Sequence, residues 1–167
     1  MPESATPLAD TRRFKVMRGV VGAVNPLVRR LLDSRFAGPL SRGLLLLRYR
    51  GRKSGRTIAT PVGYVRDGDR VVIVTSPSYG WWPNMVGGAD VDVRLAEGWR
   101  RGRAEVLFPD DSRFDEAVAL QVAKRGPAML RGFGVDIDDA GQIAPEARPT
   151  TTRYAHIVLV TLAAVGG

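Results

Sequence analysis

The spacing of apolar residues divides the chain into a helical beginning and a strand-rich body. Between residues 14 and 32, apolar side chains recur every three to four positions, which predicts an amphipathic helix that Pro26 kinks or splits. From residue 44 onward, apolar runs of strand length alternate with turns that contain Gly or Asp. The predicted strands cover residues 44–49, 58–65, 70–75, 91–95, 99–107 and 154–162.

Short connections between these strands predict an antiparallel sheet. Residues 66–69 and 97–98 have the composition of hairpin turns, and strands joined by short turns pair antiparallel. The predicted fold class is therefore mainly β (α+β), a six-stranded antiparallel barrel with an N-terminal amphipathic helix and flanking helices. We expect a flexible tail at 1–10 and a single domain over 11–167.

Three segments outside the strands also carry predictions. Residues 81–88 have room for one or two helical turns. A longer helix is predicted from Asp110 or Asp111 to Lys124, because an Asp is a good N-cap and Gly126-Pro127 stops the helix. Residues 131–149 are rich in Gly, Asp and Pro, which indicates a long loop that is either a lid or mobile.

The charge of the chain points to an anionic partner. Its 167 residues include 25 Lys or Arg and 17 Asp or Glu, and residues 1–56 alone carry 13 basic against three acidic groups. Such asymmetry indicates an anionic ligand or surface. An anionic membrane surface facing the helix at 12–32 is one alternative. Nucleic acid is not expected, because the chain has no basic-aromatic platform and no recognition-helix pattern.

The composition excludes several other classes of site. Without Cys the chain has no disulfide, no thiolate metal site and no Cys nucleophile. His156 is the only histidine and is expected to make a structural hydrogen bond, so no metal site is predicted. The longest apolar runs are shorter than the roughly 20 residues of a bilayer span, and no secretory signal opens the chain. We expect a cytoplasmic protein, with any peripheral association on the inner face of the membrane.

The turn after the first predicted strand carries groups that bind anions. Residues 51–56 have the sequence Gly-Arg-Lys-Ser-Gly-Arg, and Arg50 comes directly before them. Guanidinium forks, the Ser54 hydroxyl and the backbone amides freed by two glycines can all donate hydrogen bonds to a phosphate or carboxylate. The alternative is an ordinary solvated hairpin turn. The pattern of a Walker phosphate loop is absent.

Two adjacent tryptophans form the second candidate feature. Trp81 and Trp82 stand between Ser76 and Asn84. Flat apolar rings beside polar side chains have the composition of a pocket for a planar heteroaromatic ligand. The alternative is a plug in the core, because tryptophan is largely buried on average.

Together these elements resemble the deazaflavin-dependent nitroreductase family. The resemblance covers roughly residues 44–107 and rests on Gly51-Arg-Lys-Ser-Gly55, Pro61-Val62, the Asp67-Gly68 hairpin, a strand ending at Ser76, Trp81-Trp82-x-Asn84-Met85 and Val91-x-Val93. Members are split β-barrel oxidoreductases that use coenzyme F-420. The resemblance implies hydride transfer from this deazaflavin to a small apolar acceptor, a quinone or a nitroaromatic, and it also allows a homodimer.

The resemblance implies that nine residues bind the coenzyme. Arg52, Lys53 and Ser54 would hold its phosphate and acidic tail, Pro61, Val62 and Gly63 would line the deazaflavin ring, Ser76 would reach the polar edge of the ring, and Trp81 and Asn84 would close the pocket. Trp82 and Tyr154 are the candidate contacts with the substrate. No catalytic acid or base is assigned, because the coenzyme supplies the hydride.

The chain also departs from the family pattern. Ile58 stands where the family usually has Arg, residues 77–79 replace a Gly-rich segment, and Gly63 stands where some members have Tyr. Two alternatives therefore stay open. One is a split-barrel protein that binds FMN. The other is a membrane-associated protein that binds lipid or quinone without redox activity.

Overall fold

The computed structural model describes residues 43–164. The predicted tail at 1–10 and the predicted helix at 14–32 lie outside the described residues. Within the described part, seven strands form one sheet: β1 (Leu44–Arg50), β2 (Thr57–Gly63), β3 (Val65–Asp67), β4 (Arg70–Thr75), β5 (Ala89–Leu95), β6 (Gly98–Leu107) and β7 (His156–Leu162). The helices are α1 (Phe114–Arg125), α2 (Ala128–Phe133) and two short 3-10 helices, Trp82–Met85 and Arg148–Arg153.

Alternating side chains create the inner face of this sheet. In β5, Val91, Val93 and Leu95 are buried while the residues between them are more exposed. This is the period of two that a pleated strand imposes. The barrel core also contains Leu45, Leu47, Tyr49, Val71, Ile73, Trp81, Met85, Val106, Val158 and Val160. Full burial of one such aliphatic side chain stabilises a fold by about 1.5–3 kcal/mol.

The order of the strands explains why the sheet curls. It runs β2-β1-β5-β6-β7-β4-β3, and every neighbouring pair is antiparallel. β2 and β3 therefore lie at opposite edges, yet only Tyr64 separates them in sequence. The two Cα–Cα steps from Gly63 to Val65 span at most about 7 Å, which means that the two edges meet in space. The sheet is consequently an antiparallel half-barrel, as the predicted fold class requires.

The number of strands differs from the prediction. Residues 58–65 were expected to form one strand, but the chain leaves β2 after Gly63 and enters β3 at Val65. The apolar pattern continues across Tyr64, so it carries no sign of this break. Seven strands result in place of the six expected, while the hairpins at 67–70 and 95–98 are confirmed.

A second apolar cluster lies on the outer face of the sheet, under the helices. Phe114, Val118 and Leu130 of the helices pack there with Leu107, Ile157 and Leu159 of the strands. α1 begins at Phe114, later than predicted, because Asp111 uses its carboxylate to accept a hydrogen bond from the Arg113 amide (2.8 Å) in a turn before the helix. The predicted stop at Gly126 is confirmed.

The segment predicted as a long loop at 131–149 is held against this outer cluster. Its first residues belong to α2, and Val135 and Ile137 are buried in the cluster. Ile137 also forms a β-bridge with Ile143. Three apolar anchors therefore attach the segment to the helix side of the sheet. No helix within residues 43–164 is long and apolar enough to cross a membrane.

Candidate functional site

The strand registers bring most of the predicted site residues to one end of the barrel. Arg50 pairs with Thr57, Tyr49 with Val91, and Thr75 with His156. The end of β1, the start of β2, the start of β5, the end of β4 and the start of β7 therefore lie together. We call this the site end. It carries the turn at 51–56, the segment at 76–88 and His156.

The basic turn has a defined backbone. The Gly51 amide donates to the Arg56 carbonyl (2.9 Å) and the Gly55 amide donates to the Gly51 carbonyl (2.8 Å). Gly55 has φ of 64°, a conformation that favours glycine. The Ser54 hydroxyl accepts a hydrogen bond from the Arg56 amide (3.3 Å). The turn therefore presents its side chains from a closed loop.

Asn84 connects the turn to the tryptophan segment. Its Oδ1 accepts a hydrogen bond from the Arg52 amide (2.9 Å), and its Nδ2 donates to the Trp81 carbonyl (2.8 Å). The first bond joins positions 32 residues apart in sequence, and the second lies within the tryptophan segment. The side chain thereby connects the two segments as a bracket. Sequence reasoning placed both segments in one site, but the spacing of residues gave no sign of this contact.

The positive charge of the turn is unpaired. Arg52 and Lys53 are exposed, and within residues 43–164 no acidic side chain forms an ion pair with either. The outer face of the sheet is different. An open groove of about 940 Å³ there is lined by Arg and Asp side chains, two of which pair as Arg48–Asp92 (3.1 Å) and Arg103–Asp90 (3.4 Å). Arg50 and Arg101 also line this groove and form no ion pair within residues 43–164, so the groove carries available positive charge beside that of the turn.

Ser76 and Trp82 form the second half of the site end. Ser76 is buried, and its hydroxyl shares a hydrogen bond with that of Ser78 (2.9 Å). Trp82 is half-buried, and its Nε1 donates to the Pro77 carbonyl (3.1 Å). Trp82 is the first residue of a short 3-10 helix, Trp82–Met85, in which Pro83 occupies a position of the first turn. This helix confirms the helical turn predicted at 81–88.

The two tryptophans occupy different environments. Trp81 is 7% exposed and belongs to the barrel core, where Met85 is also buried. A tryptophan that fills the core was the alternative to a ligand pocket, and Trp81 has that environment. Trp82 packs against the same core but keeps part of its ring exposed. A ligand can therefore contact Trp82 directly, while a closing role of Trp81 stays a prediction.

The remaining predicted residues lie apart from the turn. Pro61, Val62 and Gly63 are on β2, where Pro61 pairs with Leu46. Pro61 is four residues beyond Thr57, about 13 Å along the strand. Val62 points into the barrel core, and β2 is an edge strand of the sheet, which tolerates a proline. Tyr154 packs with the outer cluster. The structure thus does not bring these four residues to the 51–56 turn.

His156 is a residue of the site end that sequence reasoning did not select. Its ring lies 3.8 Å from the Trp82 ring, centroid to centroid, at 35°, and 6.5 Å from Phe108 in an edge-on arrangement. It is 6% exposed, and burial lowers its pKa below the ordinary value. The structural hydrogen bond expected for it is absent at Nδ1, which is buried and has no partner among residues 43–164. The only feature of the sequence that singled out His156 is that it is the one histidine of the chain.

The site end can hold an elongated anionic ligand that ends in a planar ring. Unpaired cations and a free hydroxyl on the turn suit a phosphate or carboxylate, whereas the half-buried indole and the edge of β2 suit an aromatic group. Within the described residues no cluster of His, Asp and Glu could hold a metal ion. The residues present at the site end therefore fit a phosphate-bearing deazaflavin.

One comparison with a solved structure reaches a TM-score above 0.5 and agrees with this fold. A solved structure described as a domain-swapped dimer covers 89% of this chain and 95% of its own at 17% identity, with a TM-score of 0.51. A structure of an F420-H2 dependent reductase covers 71% and 94% at 18% identity, with a TM-score of 0.49. HutZ, a haem storage protein from Vibrio cholerae, covers 84% and 90% at 11% identity, with a TM-score of 0.44. At such identities a likeness shows the fold alone.

The family is decided by sequence. No curated protein matches the chain. A family model does match, over a length greater than half of the chain. The model is that of the F420H(2)-dependent quinone reductases and it matches residues 26–125, so the protein belongs to this family and is an oxidoreductase whose coenzyme is F-420.

Proposed function

We propose that this oxidoreductase uses reduced coenzyme F-420, bound at the site end, to reduce a small apolar acceptor, a quinone or a nitroaromatic. One observation carries the proposal. The hydrogen bond from the Arg52 amide to Asn84 Oδ1 (2.9 Å) holds an unpaired cationic turn beside an indole-lined segment. Anion recognition and aromatic recognition are thereby joined in one place.

The turn supplies recognition of the anionic part of the coenzyme. Arg52, Lys53 and the Ser54 hydroxyl are exposed and can turn toward a phosphate. A hydrogen bond to a charged group contributes about 1.5–3 kcal/mol, so two such contacts supply about 3–6 kcal/mol of the roughly 8 kcal/mol that a micromolar affinity needs, and contacts with the ring must supply the rest. Because neither cation has to leave an existing ion pair, binding breaks no salt bridge within the described residues.

The deazaflavin ring would lie away from the turn. Pro61, Val62 and Gly63 begin about 13 Å along β2, a distance that suits a ligand whose tail and ring are at opposite ends. Ser76 would contact the polar edge of the ring, and Trp81 and Asn84 would close the pocket. When bound, the reduced coenzyme supplies the hydride. The chain binds it, orients it and excludes water.

The acceptor would contact Trp82 and Tyr154. Trp82 presents part of a flat apolar ring at the site end, which suits a planar and weakly polar molecule. Tyr154 is half-buried and lies two residues before His156. Among residues 43–164, the ring contact of Trp82 is with His156 and includes no charged side chain, so the proposal favours an uncharged acceptor.

The test is oxidation of reduced F-420 by the purified full chain, followed by coenzyme absorbance. A naphthoquinone and a nitroaromatic serve as separate acceptors. Oxidation that depends on enzyme and saturates with either acceptor is expected. Binding of the coenzyme without oxidation by any apolar acceptor would contradict the proposed acceptor class and leave the family intact.

A further inference from the structure

His156 lies beneath the face of Trp82 at the first position of β7. The centroids of the two rings are 3.8 Å apart, and the residues are 74 positions apart in the chain. His156 itself is fixed, because its backbone is paired with Thr75 of β4 and the residue is buried. The imidazole is therefore a rigid support for a half-buried indole.

Besides its packing against the barrel core, Trp82 makes two specific contacts with residues 43–164. One is the hydrogen bond from its Nε1 to the Pro77 carbonyl (3.1 Å), which fixes the edge of the ring. The other is the stack on His156, which fixes the plane. The Pro77 carbonyl lies between Ser76 and Ser78, whose hydroxyl oxygens are 2.9 Å apart and share a hydrogen bond. Moving the imidazole would therefore tilt the indole about its one hydrogen bond.

An apolar residue would fill the position of His156 at less cost. Nδ1 of the ring is buried and finds no hydrogen-bond partner in the described part of the chain, and a buried polar atom without a partner is destabilising. The elements around the ring present Thr75, Phe108 and Trp82 to it, and none of these titrates near neutral pH. Burial alone lowers the pKa of His156, so the ring is neutral when it supports Trp82.

We propose that His156 is a positioning residue of the reductase site, which fixes the plane of Trp82 by ring stacking and thereby sets the affinity for the apolar acceptor. This inference rests on the proposed function, in which Trp82 contacts the acceptor. It assigns His156 no contact with coenzyme or acceptor, and no transfer of a proton.

The first test needs no coenzyme. An imidazolium close to an indole quenches its fluorescence, so acidification of the apoprotein should quench tryptophan emission with a midpoint below 6.5, the ordinary pKa of histidine. The transition should disappear in His156→Phe and in Trp82→Phe. It should survive in Trp99→Phe, the matched control, because Trp99 stacks on Arg48 instead. A flat titration of the wild type, or one that persists in His156→Phe, would overturn the inference.

The second test separates the acceptor from the coenzyme. His156→Ala should raise the KM for a naphthoquinone about 2- to 10-fold, the size of one aromatic pair, while the Kd of the coenzyme stays unchanged. His156→Phe keeps a ring under Trp82 and should recover most of the loss. An unchanged KM in His156→Ala, or an equal loss of coenzyme affinity, would contradict a positioning role. Near-UV circular dichroism establishes that each variant is folded.

Failure of the proposed function looks different. In that case the wild type would reduce no quinone, whereas the pH-dependent quenching would still report the contact between His156 and Trp82. Conversely, a wild-type enzyme that reduces quinones but shows no quenching leaves the proposed function standing and removes this inference.

Discussion

Replacement of Asn84 is the sharpest perturbation of the site. Asn84→Ala deletes both bonds of the bracket, from the Arg52 amide (2.9 Å) and to the Trp81 carbonyl (2.8 Å). The two backbone groups that lose the Asn84 side chain can still form hydrogen bonds. The Arg52 amide is exposed to water, and the Trp81 carbonyl still accepts from the Asn84 amide (3.2 Å). The variant therefore loses two hydrogen bonds without creating an unsatisfied buried group.

The loss of stability in Asn84→Ala can be estimated from these two hydrogen bonds. A net contribution of about 0.5–1.5 kcal/mol per hydrogen bond gives a loss of about 1–2 kcal/mol for the pair, since one partner is solvated. For a domain of this size this is a fall in Tm of about 3–8 °C. The turn at 51–56 would also lose its attachment, so coenzyme binding should weaken up to about tenfold.

Asn84→Asp separates the two effects. A carboxylate keeps the acceptor for the Arg52 amide but replaces the donor to the Trp81 carbonyl by an oxygen, so at most part of the stability should return. Its charge, however, sits beside the proposed anion site and should weaken coenzyme binding at least as much as Asn84→Ala does. Thermal melts and fluorescence titrations of both variants check this. Wild-type Tm together with wild-type affinity in Asn84→Ala would refute the bracket as the organising contact of the site.

Three further predictions concern packing, pH and the N-terminal tract. Gly102→Ala should destabilise by about 1–3 kcal/mol in urea, because its Cβ would lie 2.7 Å from the Thr161 carbonyl oxygen, whereas Gly63→Ala meets only ordinary contacts at 3.7 Å and should be nearly neutral. Since the folded pKa of His156 is lowered, the unfolded chain binds the extra proton, and stability should fall as the pH drops below 6.5, less so in His156→Phe. The full chain should co-sediment with anionic vesicles better than with zwitterionic ones, at about 1 kcal/mol per basic group near the surface, and equal binding to both would remove the membrane hypothesis for residues 12–32.

Local chemistry made much of the fold predictable. Asp67-Gly68 is a strong hairpin signal, and Gly68 adopts φ of 58° between β3 and β4 as such a turn requires. The break at Tyr64 was not predictable, because it depends on the meeting of two sheet edges and leaves the apolar pattern unchanged. The start of α1 was missed for a related reason: Asp111 caps a turn and not the helix itself.

The site divides in the same way. The basic turn and the tryptophan segment are each a continuous stretch of sequence. Their chemistry could therefore be predicted without knowledge of the fold. The contacts that organise them are not contiguous. Arg52 meets Asn84 across 32 residues, and Trp82 meets His156 across 74. Only strand register brings such positions together, which is why His156 was taken for a structural residue.

Direct binding of reduced F-420 tests the central claim most simply. The full chain is titrated with the coenzyme and the change in coenzyme fluorescence is followed, beside the double variant Arg52→Ala/Lys53→Ala and a charge-matched control, Arg101→Ala/Lys124→Ala, whose residues are exposed outside the site end. We predict micromolar binding by the wild type and the control, and a loss of tenfold or more, on the order of one charged hydrogen bond, in the Arg52/Lys53 variant. Absence of binding up to ~100 μM, or equal affinity in all three proteins, would contradict the account.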